Sequence, residues 1–108
     1  MRNRNVNKSS SLDVLVSALC LDYPRREKAI RDGLSSRRTL TEYRYFNFKI
    51  YEAVKEVVGE EFAYVYIKEI GENIGYANTA LDTLSEVAYK QRKKEVKENI
   101  AKKLHLED

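Results

Sequence analysis

Lys90, Arg92, Lys93, Lys94 and Lys97 fall close together within residues 83–106, TLSEVAYKQRKKEVKENIAKKLHL, and side chains of these types can jointly hold a polyanion. From residue 90 to 103 seven bases stand against two acids, a local charge of +5 in a chain whose formal net charge is only +3. Nucleic acid is the first partner this pattern suggests. Arg can read guanine bidentately, Lys pairs mainly with phosphates, and Tyr89 could hydrogen-bond a phosphate or touch a thymine methyl. The plainer reading of a Lys/Arg run on a terminal helix is a solvated face.

Other chemistry finds little footing. There is no Gly-rich phosphate loop, no H-E-x-x-H helix, and no Ser or Cys nucleophile with a credible base, because the single His105 lies near the end. Cys20 is the only cysteine, which excludes an internal disulfide framework and a multi-cysteine zinc site. The expectation is no enzyme, no cofactor and no metal, with Cys20 a buried small hydrophobe and His105 on the surface. Most of the eight Tyr residues read as core-edge side chains rather than stacking platforms, Tyr43, Tyr51 and Tyr66 recurring at helical spacing.

The apolar stretch at residues 14–21 is interrupted by Ser17 and flanked by Asp13 and Asp22, well short of the roughly 20 residues of a membrane span. MRNRNVNKSSS lacks the apolar core of a secretion signal. A reduced, cytoplasmic setting without membrane contact is expected. A length of 108 residues with 43% hydrophobic content suits one core and one domain.

The elements that must position the basic cluster are helical. Residues 1–10, with Arg2, Arg4 and Lys8, read as a flexible basic arm, and residues 11–106 as a single helical domain. Leu12, Leu15, Val16, Leu19 and Tyr23 define a first helix from about residue 12 to 21. Pro24 redirects the chain into a short helix closed by Gly33. Thr39 and Glu42 have capping-box spacing at the head of a long helix that carries Tyr43, Phe46, Ile50, Val54 and Val57 inward and ends at Gly59. Glu60 and Glu61 suit the next helix start; it is expected to bury Phe62, Tyr66, Ile70 and Ile74 and to stop at Gly75. Thr83 and Glu86 repeat the capping box before a final helix with Leu84, Ala88, Val96, Ile100 and Leu104 as its apolar stripe, interrupted by Arg92. YRYFNFKIY alternates briefly, yet its continuation into EAVKEVVG argues for helix. The fold class predicted is all-α, a compact bundle of about five helices with a C-terminal helix-turn-helix and a long last helix.

Two registers compete for the helix that would enter the groove of DNA. In the first, Gly71 sits where the helices cross, Gly75 makes the turn, and residues 78–88 present Asn78, Thr79, Asp82 and Glu86. In the second, the turn falls at residues 81–84 and a helix from Ser85 or Glu86 presents Tyr89, Lys90, Arg92, Lys93 and Lys97. Carboxylates facing phosphates are repelled, so charge favours the second.

The stretch SEVAYKQRKKEVKENIAKKL resembles the C-terminal helix of small phage and prophage transcriptional regulators from Firmicutes, related to late-gene activators and to the fourth region of sigma factors. Ser85 opens the helix, Tyr89 supplies an aromatic, the basic cluster through Lys94 follows, and Ile100, Ala101 and Leu104 form the closing apolar repeat. The upstream LCLDYPRREKAI is similar to the opening helices of such proteins. The resemblance implies a sequence-specific DNA-binding regulator of phage origin, able to act with RNA polymerase.

The expected partner is double-stranded DNA, with Arg92 as the base reader and Arg2 and Arg4 as further minor-groove or backbone contacts. The first helices and the long one would form a scaffold and a surface for a homodimer. The alternative is a helical protein-interaction module, a phage-encoded adaptor or inhibitor of a host protein, with YRYFNFKIY as its interface.

Overall fold

The computed structural model describes the backbone of residues 2–81 and 84–106, and the side-chain surroundings from residue 11 onward within those ranges. Five α-helices follow one another: α1 Arg2–Leu21, α2 Tyr23–Asp32, α3 Arg37–Val58, α4 Glu60–Gly71 and α5 Glu86–Lys103. A single 3-10 turn, Tyr76–Asn78, lies between α4 and α5. Among the described residues there is no strand, so the fold is all-α, and YRYFNFKIY lies inside α3. None of these helices is long and apolar enough to cross a membrane.

Helix α1 starts at Arg2, not Leu12. Nothing in residues 2–12 is a Gly or Pro, so no residue there breaks the backbone ladder. The side chains of the expected arm, Arg2, Arg4 and Lys8 among them, lie outside the described residues.

Pro24 stands in the first turn of α2, and Gly33 closes it at φ 63° while the Leu34 N–H returns to the Ala29 carbonyl at 3.2 Å. Helix α3 is capped by Ser36, whose Oγ accepts the Thr39 N–H at 3.2 Å. Thr39, expected as the cap, is therefore the third residue inside the helix, because Ser36 offers the same oxygen one turn earlier. Gly59, at φ 89°, is the single residue between α3 and α4.

Helix α4 ends at Gly71 and its left-handed cap is Asn73 at φ 54°, with the Ile74 N–H returning to the Glu69 carbonyl at 2.9 Å. Gly75, expected as the stop, comes after the turn is complete, because Asn tolerates the left-handed region nearly as Gly does. The buried face of α4 is Ala63, Tyr66, Ile67 and Ile70, while Phe62 is 41% exposed. A strict interval of four drifts about 40° per step around a helix, so Phe62 falls away from the face that Tyr66 and Ile70 share, and Ile74 lies beyond the helix end.

The core lies where α3 meets α4 and α5, with Ile50, Ala53, Val54, Ile70, Val96 and Ile100 all sealed from water. Helix α1 crosses α4 at Gly71, where an added Cβ would stand 2.6 Å from the Leu21 backbone nitrogen. The close crossing predicted at Gly71 is thus with α1, and not with the last helix. A buried polar network joins α1, α2 and α3: the Arg26 guanidinium donates to Asn47 Oδ1 at 2.7 Å, to the Leu19 carbonyl and to Asp22 at 3.2 Å, and Asn47 Nδ2 donates to the Tyr23 carbonyl at 3.1 Å.

Candidate nucleic-acid interface

One buried carboxylate ties the start of α5 to α4. Glu69 of α4 accepts the Thr79 hydroxyl at 2.6 Å, the Ala80 N–H at 2.8 Å and the Tyr89 hydroxyl at 2.6 Å. Two of these bonds hold the long connection, and the third holds the first turns of α5. Burial alone would raise the Glu69 pKa, but the hydrogen bonds from Thr79, Tyr89 and Ala80 outweigh it and the carboxyl sits below its ordinary 4.5. Burial, and then the same bond, pushes Tyr89 up to about 12. Tyr76 adds a tie from its hydroxyl to the Leu84 carbonyl at 2.7 Å.

Helix α5 begins at Glu86 under a Ser85 cap, whose Oγ accepts the Ala88 N–H at 3.2 Å. This is the helix start of the second register. The first register fails, because Asn78 closes a 3-10 turn and Thr79 is extended at φ −70°, ψ 149°, its hydroxyl engaged by Glu69 and by the Leu81 N–H. Residues 72–85 separate the two helices, a longer connection than the three or four residues of a tight helix-turn-helix. Thr83, the other expected cap, lies outside the described residues.

Each residue turns an α-helix by about 100°, so Lys90, Lys93, Lys94 and Lys97 share one side of α5. They line a groove of about 610 Å³ against Leu12, Asp13 and Val16 of α1, with Tyr76 at its margin. Lys90 is exposed and pairs with Glu86 at 2.8 Å. Lys94 is exposed and has no ion pair among the described residues. Lys97 reaches across to Asp13 at 3.2 Å. Lys93 is half-buried: its Nζ donates to the Ile74 carbonyl at 2.8 Å and stands 5.1 Å from the Tyr89 ring centre. Burial first, and then the neighbouring charge of Lys97, lowers the Lys93 pKa.

Four other expected contacts are not presented on this face. Tyr89, placed by the sequence reading on the outer surface, is 1% exposed and belongs to the core. It occupies the inward position assigned to Ala88, and the apolar stripe is interrupted at Lys93 rather than Arg92. Arg92 projects from the far side of α5, with Glu95 at 3.8 Å. Asn78 is exposed on the 3-10 turn, and Thr79 has given its hydroxyl to Glu69. The sequence reading missed Glu69 altogether. Its signal was a carboxylate one turn after Tyr66 and beside Ile70, on the apolar side of the helix.

Beside the carboxylates of Asp13 and Glu98, which also line the groove, the surviving face carries four ammonium groups. These act as mobile point charges suited to phosphate oxygens, and they lack the planar fork that recognises guanine. Among the described residues no cluster of His, Cys, Asp or Glu could hold a metal ion. Compared with known protein families, with curated proteins and with solved structures, the chain matches none.

Proposed function

We propose that this protein binds nucleic acid, double-stranded DNA in the first instance, through the lysine side of α5. The observation that carries the reading is the alignment of Lys90, Lys93, Lys94 and Lys97 along one groove. Lys90 and Lys94 are the outermost and make the first phosphate contacts. Lys97 joins by exchanging Asp13 for a phosphate, while Lys93 supports the face from its bond to Ile74. With Arg92 turned away, contact with the sugar-phosphate backbone dominates and α5 contributes little direct base readout.

The finer reading is a DNA-binding transcriptional regulator of the phage or prophage kind, with RNA polymerase and a second copy of the chain as further partners. It is supported by the likeness of the last helix to such regulators.

Duplex binding measured by fluorescence anisotropy across a salt series tests the proposal. Affinity should fall steeply with salt, and the Lys90→Ala/Lys94→Ala double variant should flatten the log–log slope by about 2. Arg92→Ala should leave that slope nearly unchanged. Salt-independent binding, or a slope that Arg92→Ala changes more than the lysine pair does, defeats it.

A further inference from the structure

A second surface, sharing no residue with the lysine groove, remains unused by the proposed function. Helix α3 carries Arg44, Phe48, Tyr51 and Lys55 at spacings of four, three and four, which puts all four on one side. On that side Arg44, Phe48 and Tyr51 line a groove of about 550 Å³ with Glu27, Ile30 and Arg31 of α2 and Tyr64 of α4, and Lys55 lies one turn beyond Tyr51. Phe48 is 58% exposed and Tyr64 55%, although both belong to types that burial favours. Aromatic side chains and Arg, gathered at a concave site, are the composition of interface hot spots.

We infer that this groove docks an acidic amphipathic segment of a partner protein, two apolar side chains seated on Phe48 and Tyr64 and carboxylates at either end meeting Arg44 and Lys55. Charge argues for the acidic flanks. Arg44 has no ion pair among the described residues, Arg31 has only its neighbour Asp32 at 3.5 Å, and Lys55 lies over the Tyr51 ring with its ammonium 5.8 Å from the centre. Cations at both ends of an aromatic pair select a helix that reads acidic, apolar, apolar, acidic, the helix-in-groove mode of recognition.

A single nucleic-acid strand fits the groove less well. The Tyr51 and Tyr64 rings pack on each other at 5.2 Å, and Lys55 lies over Tyr51, so Tyr51 is not free for a base to stack on.

Selection of random helical peptides, about 15 residues long, from a display library against the full chain provides the test. Enriched peptides should carry Asp or Glu on both sides of an apolar pair. Their affinity should fall roughly tenfold or more on Phe48→Ala, and equally on Arg44→Glu. Both side chains are exposed, so circular dichroism should be unchanged; Arg44→Glu stands as the independent readout if Phe48→Ala disturbs the fold. Duplex binding through α5 should survive both changes, which separates failure here from failure of the DNA proposal. Recovery of no binder, of basic peptides, or of peptides indifferent to both substitutions overturns the inference. So does a single-stranded oligonucleotide whose binding is lost with Phe48.

Discussion

Tyr89 donates its phenolic hydrogen to Glu69 across 2.6 Å of protein interior, joining α4 to α5 twenty residues further along the chain. The bond is charge-assisted, and little water reaches either partner. Tyr89→Phe removes the donor and leaves the ring in place, so the expected loss is roughly 1.5–3 kcal/mol, the range for hydrogen bonds to charged groups. Urea denaturation measures it through the midpoint at constant m-value. The Ile74 carbonyl, also within 3.0 Å of that hydroxyl, keeps its bond from Lys93, so it adds little to the cost.

The same carboxylate sets a pH dependence. Its folded pKa lies below its ordinary 4.5, so the unfolded chain takes up the proton first as pH falls. Its stabilisation is full above about pH 4.5 and disappears as pH drops through the folded pKa. Glu69→Gln should therefore be less stable at neutral pH and show a shallower loss in acid. Part of the acid slope must persist, because hydrogen bonds from Arg25 hold Asp22 down and those from Lys103 and Asn99 hold Glu56 down. Chemical denaturation of both proteins at a series of pH values reads the difference. Parallel curves would remove Glu69 from the account.

Gly71→Ala should weaken the fold even though Ala is the better helix former by about 1 kcal/mol. The new methyl carbon would meet backbone, with Leu21 N at 2.6 Å, Leu21 Cα at 2.7 Å and the Cys20 carbonyl carbon at 2.9 Å. No rotamer relieves a backbone clash, so α1 must shift from α4, at roughly 1–3 kcal/mol for overpacking. Gly75→Ala is the control: an added Cβ there meets nothing within 4 Å and φ is −88°, so stability should hold or rise slightly. Equal effects at the two positions would contradict the tight α1–α4 crossing.

What the sequence made legible follows from how local each signal is. Helix α2 could be bounded from Pro24 and Gly33, since a fixed φ and a left-handed cap act within one turn. The starts of α3 and the end of α4 moved because two residues could serve the same cap: Ser36 as well as Thr39, Asn73 as well as Gly75. The candidate site was half legible. Residue spacing alone puts Lys90, Lys93, Lys94 and Lys97 together, but whether Tyr89 or Ala88 faces inward depends on a carboxylate on another helix. Glu69 and Arg26 were opaque for that reason, as a charged residue is buried only when distant partners satisfy it. Only the fold supplies those partners: Thr79 and Tyr89 for Glu69, Asn47 for Arg26.

That dependence makes Asn47 the most informative residue to change. Its Oδ1 receives a bond from the buried Arg26 guanidinium at 2.7 Å and its Nδ2 satisfies the Tyr23 carbonyl at 3.1 Å. Asn47→Ala takes a partner from each, one of them charged, so the expected cost is roughly 3 kcal/mol. Asn47→Asp restores an acceptor for Arg26 and loses only the donor to Tyr23, so its loss should be the smaller. Removing both polar partners together, as Arg26→Met with Asn47→Leu, should cost less than Asn47→Ala, because no buried charge is then left short of a partner and only the Leu19 and Tyr23 carbonyls lose a donor. Urea midpoints for the three variants give the order. If Asn47→Ala proves milder than the double change, hydrogen bonding is not what holds α2 to α3, and the Arg26 guanidinium over the Phe46 ring takes its place.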